Sequence, residues 1–185
     1  MKRHGKPACI LLLMGTLLFG GLYPLVVWSI ASFVLPAKAQ GSKIYIHEKC
    51  VGLRYVGQMF AHEKYFWGRP SWAYRIGNRL VSGGSNLSWS SPLLRANVES
   101  KSRIWRQYGQ EIPEDIVMAS ASGCDPEISL RAALFQVPRV ALIRGIPEEH
   151  LLALIAEYEE PTLGNLFPNR VNVLLLNREL DIRFS

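Results

Sequence analysis

The chain has little that marks a hydrolase or a nucleotide enzyme. It lacks a Gly-x-Ser-x-Gly elbow and a metalloprotease helix motif, so its four histidines and many serines form no recognisable nucleophilic machinery. It lacks the lysine followed by Ser or Thr that completes a P-loop, and the three spaced glycines of a dinucleotide fingerprint. No dense Lys/Arg run with interleaved aromatics occurs, which leaves no argument for a nucleic-acid partner. Cysteine is scarce, with Cys9, Cys50 and Cys124 the three present. His47-x-x-Cys50 has ligand-like spacing, but a tetrahedral site needs two more ligands and only His62 and Cys124 offer themselves, so no metal is assigned. No repeat or low-complexity segment divides the chain, and no acid precedes Glu48.

What is present begins with a long apolar run. From Pro7 to Ala37 no side chain is charged, and this length crosses the ~30 Å hydrocarbon layer as a helix. The division expected is a short basic tail over 1–7, a transmembrane helix over 8–35 and a soluble domain over 36–185. A competing reading makes the first ~39 residues a cleaved secretory signal, because Ala37-Lys38-Ala39 has a small-x-small pattern. The apolar run is much longer than a signal core of roughly 7–15 residues, which favours a retained anchor. Lys2, Arg3 and Lys6 precede the span and only Lys38 and Lys43 closely follow it. The positive-inside rule therefore keeps the N-terminus cytoplasmic and puts the domain outside. Gly20, Gly21 and Pro24 within the span are tolerated where a neighbouring helix packs close, so they are candidate partner contacts. In an oxidising compartment Cys50 and Cys124 are available for a disulfide; two separate small buried residues are the alternative.

The remaining residues read as one α+β domain with more helix than strand and a small sheet. "KIYIHE" alternates as a short strand. The aromatic-rich segment after Tyr55 reads as partly helical to Phe66, and residues 78–92, rich in Gly, Ser and Asn, read as loop. "NVESKSRIWRQYG" has a helix signature with Asn97 as cap, and "IPEDIVMAS" and "IPEEHLLALIAEYEE" each open on proline and acids. In the latter, Leu151, Leu152, Ile155 and Tyr158 share one expected face. Pro138 is expected to break or restart the helix "SLRAALFQ", and "RVNVLLLN" reads as strand.

Two stretches carry more. In "VSGGSNLS", Ser82, Gly83, Gly84, Ser85 and Asn86 either expose backbone N–H groups to a phosphate or form a tight turn, and the turn is the commoner outcome for such a sequence. In "YFWGRPS", the consecutive aromatics Tyr65, Phe66 and Trp67 cannot all enter one core, which makes them candidate partner contacts. Arg69, held between Gly68 and Pro70, suits a carboxylate or a backbone carbonyl of a partner or of this chain.

"TLLFGGLYPLVV", "YFWGRPS", "SGGSNLS", "ASGCDPEIS", "FQVPRVA" and "RVNVLLLNRELD", in this order, resemble the KdpC family, the C subunits of the bacterial Kdp potassium-transporting P-type ATPase. The resemblance runs from Thr16 to about Asp181. It implies a non-catalytic accessory subunit in the inner membrane, assembled with an A subunit that is the K⁺ path, a phosphorylated B subunit and a small F subunit. The chain itself has no DKTGT-like phosphorylation motif. The family is also described as a catalytic chaperone that raises the ATP affinity of the B subunit, which would make the Ser82–Leu87 loop and Gln136 its ATP contacts. A domain outside the membrane opposes that role, since any effect on nucleotide affinity would then pass across the bilayer as a coupling between distant sites. It favours stabilising the complex and covering the external K⁺ entrance, with no cofactor held by this subunit. Met118, Ala121, Cys124 and Glu127 replace the family's usual threonine, glycine, leucine and histidine.

Overall fold

The computed structural model describes residues 4–71, 81–109, 111–162 and 167–184. Lys2 and Arg3 of the basic flank, and residues 78–80 of the expected loop, lie outside the described residues. Two compact units emerge, Met1–Lys43 and Ile44–Ser185.

The first unit is dominated by one continuous helix, Gly5–Val34, whose most apolar window has a mean hydropathy of 2.2. It comprises α1 (Gly5–Leu17), a single π-turn (Leu18–Leu22) and α2 (Tyr23–Val34), and none of its residues is buried. The π-turn has a local cause. Pro24 has no N–H and its ring presses on the carbonyl four residues back, at Gly20; widening the turn at the Gly20-Gly21 pair relieves that crowding without ending the helix. Leu35, restricted by the following proline, leaves helical geometry at φ −133°. A short α3 (Pro36–Ala39) follows.

The second unit opens with the expected strand, β1 (Lys43–Ile46), which turns into β2 (Lys49–Leu53). His47 and Glu48 both have positive φ (44° and 64°), the signature of a two-residue type I′ hairpin whose twist matches its strands. Residues 55–66 are irregular, correcting the helix expected there. Helix α4 (Pro92–Trp105) starts at Pro92 rather than after Asn97, because the proline's fixed φ and missing N–H suit the first helical turn. "IPEDIVMAS" supplies only a 3₁₀ turn at Glu114–Ile116.

Strand β3 (Glu127–Ser129) then leads directly into α5 (Leu130–Arg144). Ser129 is the junction: its Oγ accepts from Ala132 N at 3.1 Å, while Asp115 accepts from Ser129 N at 2.6 Å. Helix α5 runs straight through Pro138. The expected break does not occur, because Ala132, Ala133, Val137, Val140 and Ala141 bury a continuous face whose packing outweighs the lost hydrogen bond. Gly145, in the left-handed region at φ 66°, closes the helix. In α6 (Glu148–Glu157) the buried face is Leu151, Leu154 and Ile155, whereas Leu152 faces out.

Strands β4 (Glu159–Thr162) and β5 (Phe167–Asn172) complete an antiparallel sheet of order β3-β5-β4, in which Arg170 pairs with both Ser129 and Glu160. The run "VLLLN", expected as strand, is the start of α7 (Val173–Arg183). Asn172 ends the strand and caps the helix, its Oδ1 accepting from Leu175 N at 3.1 Å. The core lies between α5, α6, α7 and the sheet, with Phe66 and Trp105 inserted from the irregular segment and from α4.

Candidate functional site

The irregular segment after β2 replaces the missing helical ladder with side chains from α5 and α7. Phe66 N donates to Asn177 Oδ1 at 2.8 Å and Asn177 Nδ2 donates back to Phe66 O at 2.9 Å. Gln136 treats the next peptide unit the same way: Oε1 accepts from Trp67 N at 2.8 Å and Nε2 donates to Trp67 O at 3.0 Å. The same Nε2 reaches Ala132 O at 3.2 Å and Oε1 accepts from Arg139 Nη2 at 2.8 Å, so the buried amide of Gln136 has every polar position engaged. Losing such a partner strands buried groups, at about 1–3 kcal/mol each.

Arg139 is 1% exposed and, among the described residues, forms no ion pair. Its Nη1 donates to Glu63 O and its Nη2 to Tyr65 O at 2.9 Å, while the guanidinium lies 4.4 Å from the centre of the Trp67 ring and 5.4 Å from that of Trp105. Carbonyls and π faces thus replace a counter-ion, and burial pulls its pKa down to about 10. Arg144 extends the arrangement, with Nε donating to Lys64 O at 2.8 Å and Nη2 to Asp181 Oδ1 at 2.7 Å. Tyr65 donates its hydroxyl to Asp181 Oδ2 at 2.8 Å, and burial followed by that carboxylate raises the phenol's pKa.

The glycine loop belongs to the next layer. Gly83 N donates to Ser122 O at 2.7 Å and Ser82 Oγ donates to the same carbonyl at 3.0 Å. A Cβ on Gly84 would stand 2.8 Å from Ala121 O, so glycine is needed there for close approach. Ser85 Oγ accepts from Leu87 N at 3.4 Å, and Asn86 sits in the left-handed region at φ 52°. The expected tight turn does not form: residues 81–88 are irregular backbone laid on the Ser120–Cys124 bend, neither Gly83 nor Gly84 has positive φ, and "SGGSNLS" and "ASGCDPEIS" meet although some forty residues separate them. Arg69 joins this layer to the first: Nη1 donates to Asp125 Oδ2 at 3.0 Å, and Asp125 Oδ1 accepts from Glu127 N at 3.1 Å, where β3 begins. Arg69 therefore finds its carboxylate within the chain. Ser71 Oγ also donates to Gly123 O.

The family model described as KdpC, K⁺-transporting ATPase, c chain, matches residues 5–182. The chain belongs to the KdpC family. A potassium-transporting ATPase KdpC subunit of Geobacter sulfurreducens is 45% identical over 181 residues, covering 95% of this chain and 96% of the relative. One from Caulobacter vibrioides is 42% identical over 188 residues (100% and 95%), and one from Janthinobacterium sp. is 39% identical over 189 (99% and 100%).

Of the residues singled out in the KdpC-like motifs, Tyr65, Phe66, Trp67, Arg69 and Gln136 converge on one framework, with Phe66 fully buried. Ser82 to Asn86 lie on the adjoining bend. Gly20, Gly21 and Pro24 form the π-turn of the apolar helix. Cys50, exposed on β2, and the half-buried Cys124 are free thiols. Sequence reasoning passed over Asn177, Arg144 and Asp181. Asn177 and Asp181 lie within the motif "RVNVLLLNRELD", and their four-residue spacing was the available sign that this run turns helical.

Proposed function

We propose that the chain is the accessory, non-hydrolytic subunit of a potassium-transporting ATPase assembly. Its helix anchors it in the membrane beside partner subunits, its N-terminus is cytoplasmic, and its domain stabilises the assembly from outside and covers the external K⁺ entrance. In this reading the partners are the A, B and F subunits, and hydrolysis belongs to the B subunit. Membership of the KdpC family supports the complex, and the Gly5–Val34 helix supports the anchor.

The observation that carries the structural role is the engagement of Gly83 and Gln136, two of the suggested nucleotide contacts, inside the domain. The Gly83 N–H is bonded to Ser122 O, and the amide of Gln136 holds Trp67, Ala132 and Arg139. Neither the Gly83 N–H nor the Gln136 amide is left to meet a phosphate or a base. A rigid domain that braces a complex needs groups engaged in this way; a nucleotide site needs them open.

The test is co-expression of the full chain with the A, B and F subunits. Retention of the chain through purification, with loss of K⁺-stimulated ATPase yield when it is omitted, is the expected result. A chain that never co-purifies with the other three sinks the proposal.

A further inference from the structure

Helix α4 is held to the domain mainly at one end. Trp105 is its only fully buried residue, packed edge-on against Trp67 at 5.1 Å. The rest of the helix stands over a cavity of about 660 Å³, whose far wall is built from residues around Met59, Arg69 and Met118. From the helix, Leu94, Val98, Lys101 and Ile104 line this groove, and Trp89 stands at its mouth. Met59 is 68% exposed and Trp89 79%, although each is of a kind that concentrates at protein interfaces. One cation of α4 enters this lining: Lys101, whereas Arg95, Arg103, Glu99 and the adjoining Arg106 are not among the lining residues. The Glu99 carboxylate is already held by Arg106 at 3.0 Å and Arg103 at 3.5 Å. At the groove floor Arg69 and Asp125 neutralise each other. Among the described residues Lys101 has no ion-pair partner, so the groove keeps a surplus cation beside its apolar surface.

We infer that this groove receives an extended acidic segment of a partner subunit, a large apolar side chain seating between Met59, Trp89 and Ile104 and a carboxylate meeting Lys101. The inference rests on the proposal that the chain works inside a multisubunit assembly. Apolar anchors with a charged rim divide the work in the usual way: the anchors supply affinity, and the rim charge selects and orients an oppositely charged partner.

The experiment uses the full chain in the co-purified assembly, with p-benzoylphenylalanine placed at Ile104 and, as a control outside the groove, at Leu142. Irradiation at position 104 is expected to give a covalent adduct to a partner-subunit peptide containing Asp or Glu, located by mass spectrometry. Lys101→Glu should lower the yield of that adduct about fivefold without changing thermal unfolding of the chain. Trp89→Ala, at an exposed position, should lower it as well. An assembly that co-purifies normally but gives no adduct at position 104 overturns the inference and leaves the accessory-subunit reading standing. An adduct only to lipid, only to a second copy of this chain, or of equal yield with Lys101→Glu also overturns it. If the unsubstituted chain never co-purifies, both readings fall together.

Discussion

Replacing Gln136 by alanine tests whether that residue braces the domain or serves a ligand. The side chain is fully buried and holds Trp67 N, Trp67 O and Arg139 Nη2, with Ala132 O as a further acceptor. In Gln136→Ala all four groups lose a partner, although Arg139 Nη2 keeps Tyr65 O. At about 1–3 kcal/mol for each buried unpaired group, reduced where half-buried Trp67 regains water, the expected loss is about 3–5 kcal/mol. For a domain of this size that corresponds to a fall of about 10 °C in Tm. The assay is thermal unfolding of the full chain in detergent, followed by tryptophan fluorescence, since Trp67 and Trp105 flank Arg139. Gln136→Glu is the informative companion. It keeps acceptors for Trp67 N–H and Arg139 but turns a carboxylate oxygen toward the carbonyls of Trp67 and Ala132, so it should lose an intermediate amount. A Tm drop below about 3 °C for Gln136→Ala would refute the bracing role. A changed ATP dependence of the assembled pump with unchanged stability would point to nucleotide contact.

Three further outcomes check the local energetics. Gly83→Ala should be nearly neutral, since nothing lies within 4 Å of its added Cβ, whereas Gly84→Ala forces Ala121 O away from a 2.8 Å contact and should cost about 1–3 kcal/mol in urea unfolding. Equal costs would contradict the close approach of Gly84 to Ala121. Asn172→Ala removes both the α7 cap and the Nδ2 donor that reaches Arg54 O at 2.7 Å, and should destabilise by about 1–2 kcal/mol; Asn172→Asp, which keeps the cap, should lose less. Glu127 has its pKa raised above the ordinary 4.5, first by burial and then by Asp125 and Glu160, with Arg170 and Arg54 opposing. The folded state thus holds that proton more tightly than the unfolded chain. Its stabilising contribution is present below pH 4.5 and lost as pH rises through the folded value. Glu127→Gln should flatten the pH dependence of Tm just above that pH and raise stability at neutral pH; an unchanged slope would exclude this.

The sequence made the outline of the fold legible wherever one physical signal acted alone. The uncharged run gave the apolar helix, alternation at Ile44 and Ile46 gave β1, and Pro147 with two glutamates gave α6. Failures arose where local and tertiary effects competed. Pro138 reads as a helix breaker, yet the buried face around Val137 and Val140 carries α5 through it. "VLLLN" has strand propensity, but Asn172 caps it into helix. Residues 55–66 looked helical because nothing local shows that Asn177, Gln136 and Arg139 supply their hydrogen bonds from elsewhere. At the site, Arg69 and Gln136 were recognisable as residues of consequence, whereas the pairing of Gly83 with Ser122 needed the folded chain. The exposed apolar surface beneath α4 was equally hidden, since it exists only once that helix stands over Met59.

The most direct test of the account is which side of the membrane the domain occupies, and Cys50 provides it. This thiol is exposed on β2, whereas Cys9 lies in the apolar helix and Cys124 is half-buried. With Cys9→Ser and Cys124→Ser as background, intact spheroplasts containing the assembled complex are treated with a membrane-impermeant maleimide. The account predicts labelling of Cys50 before lysis, which separates Gln136 and the glycine loop from cytoplasmic ATP by a bilayer. Labelling only after lysis would contradict it, placing the domain on the cytoplasmic side.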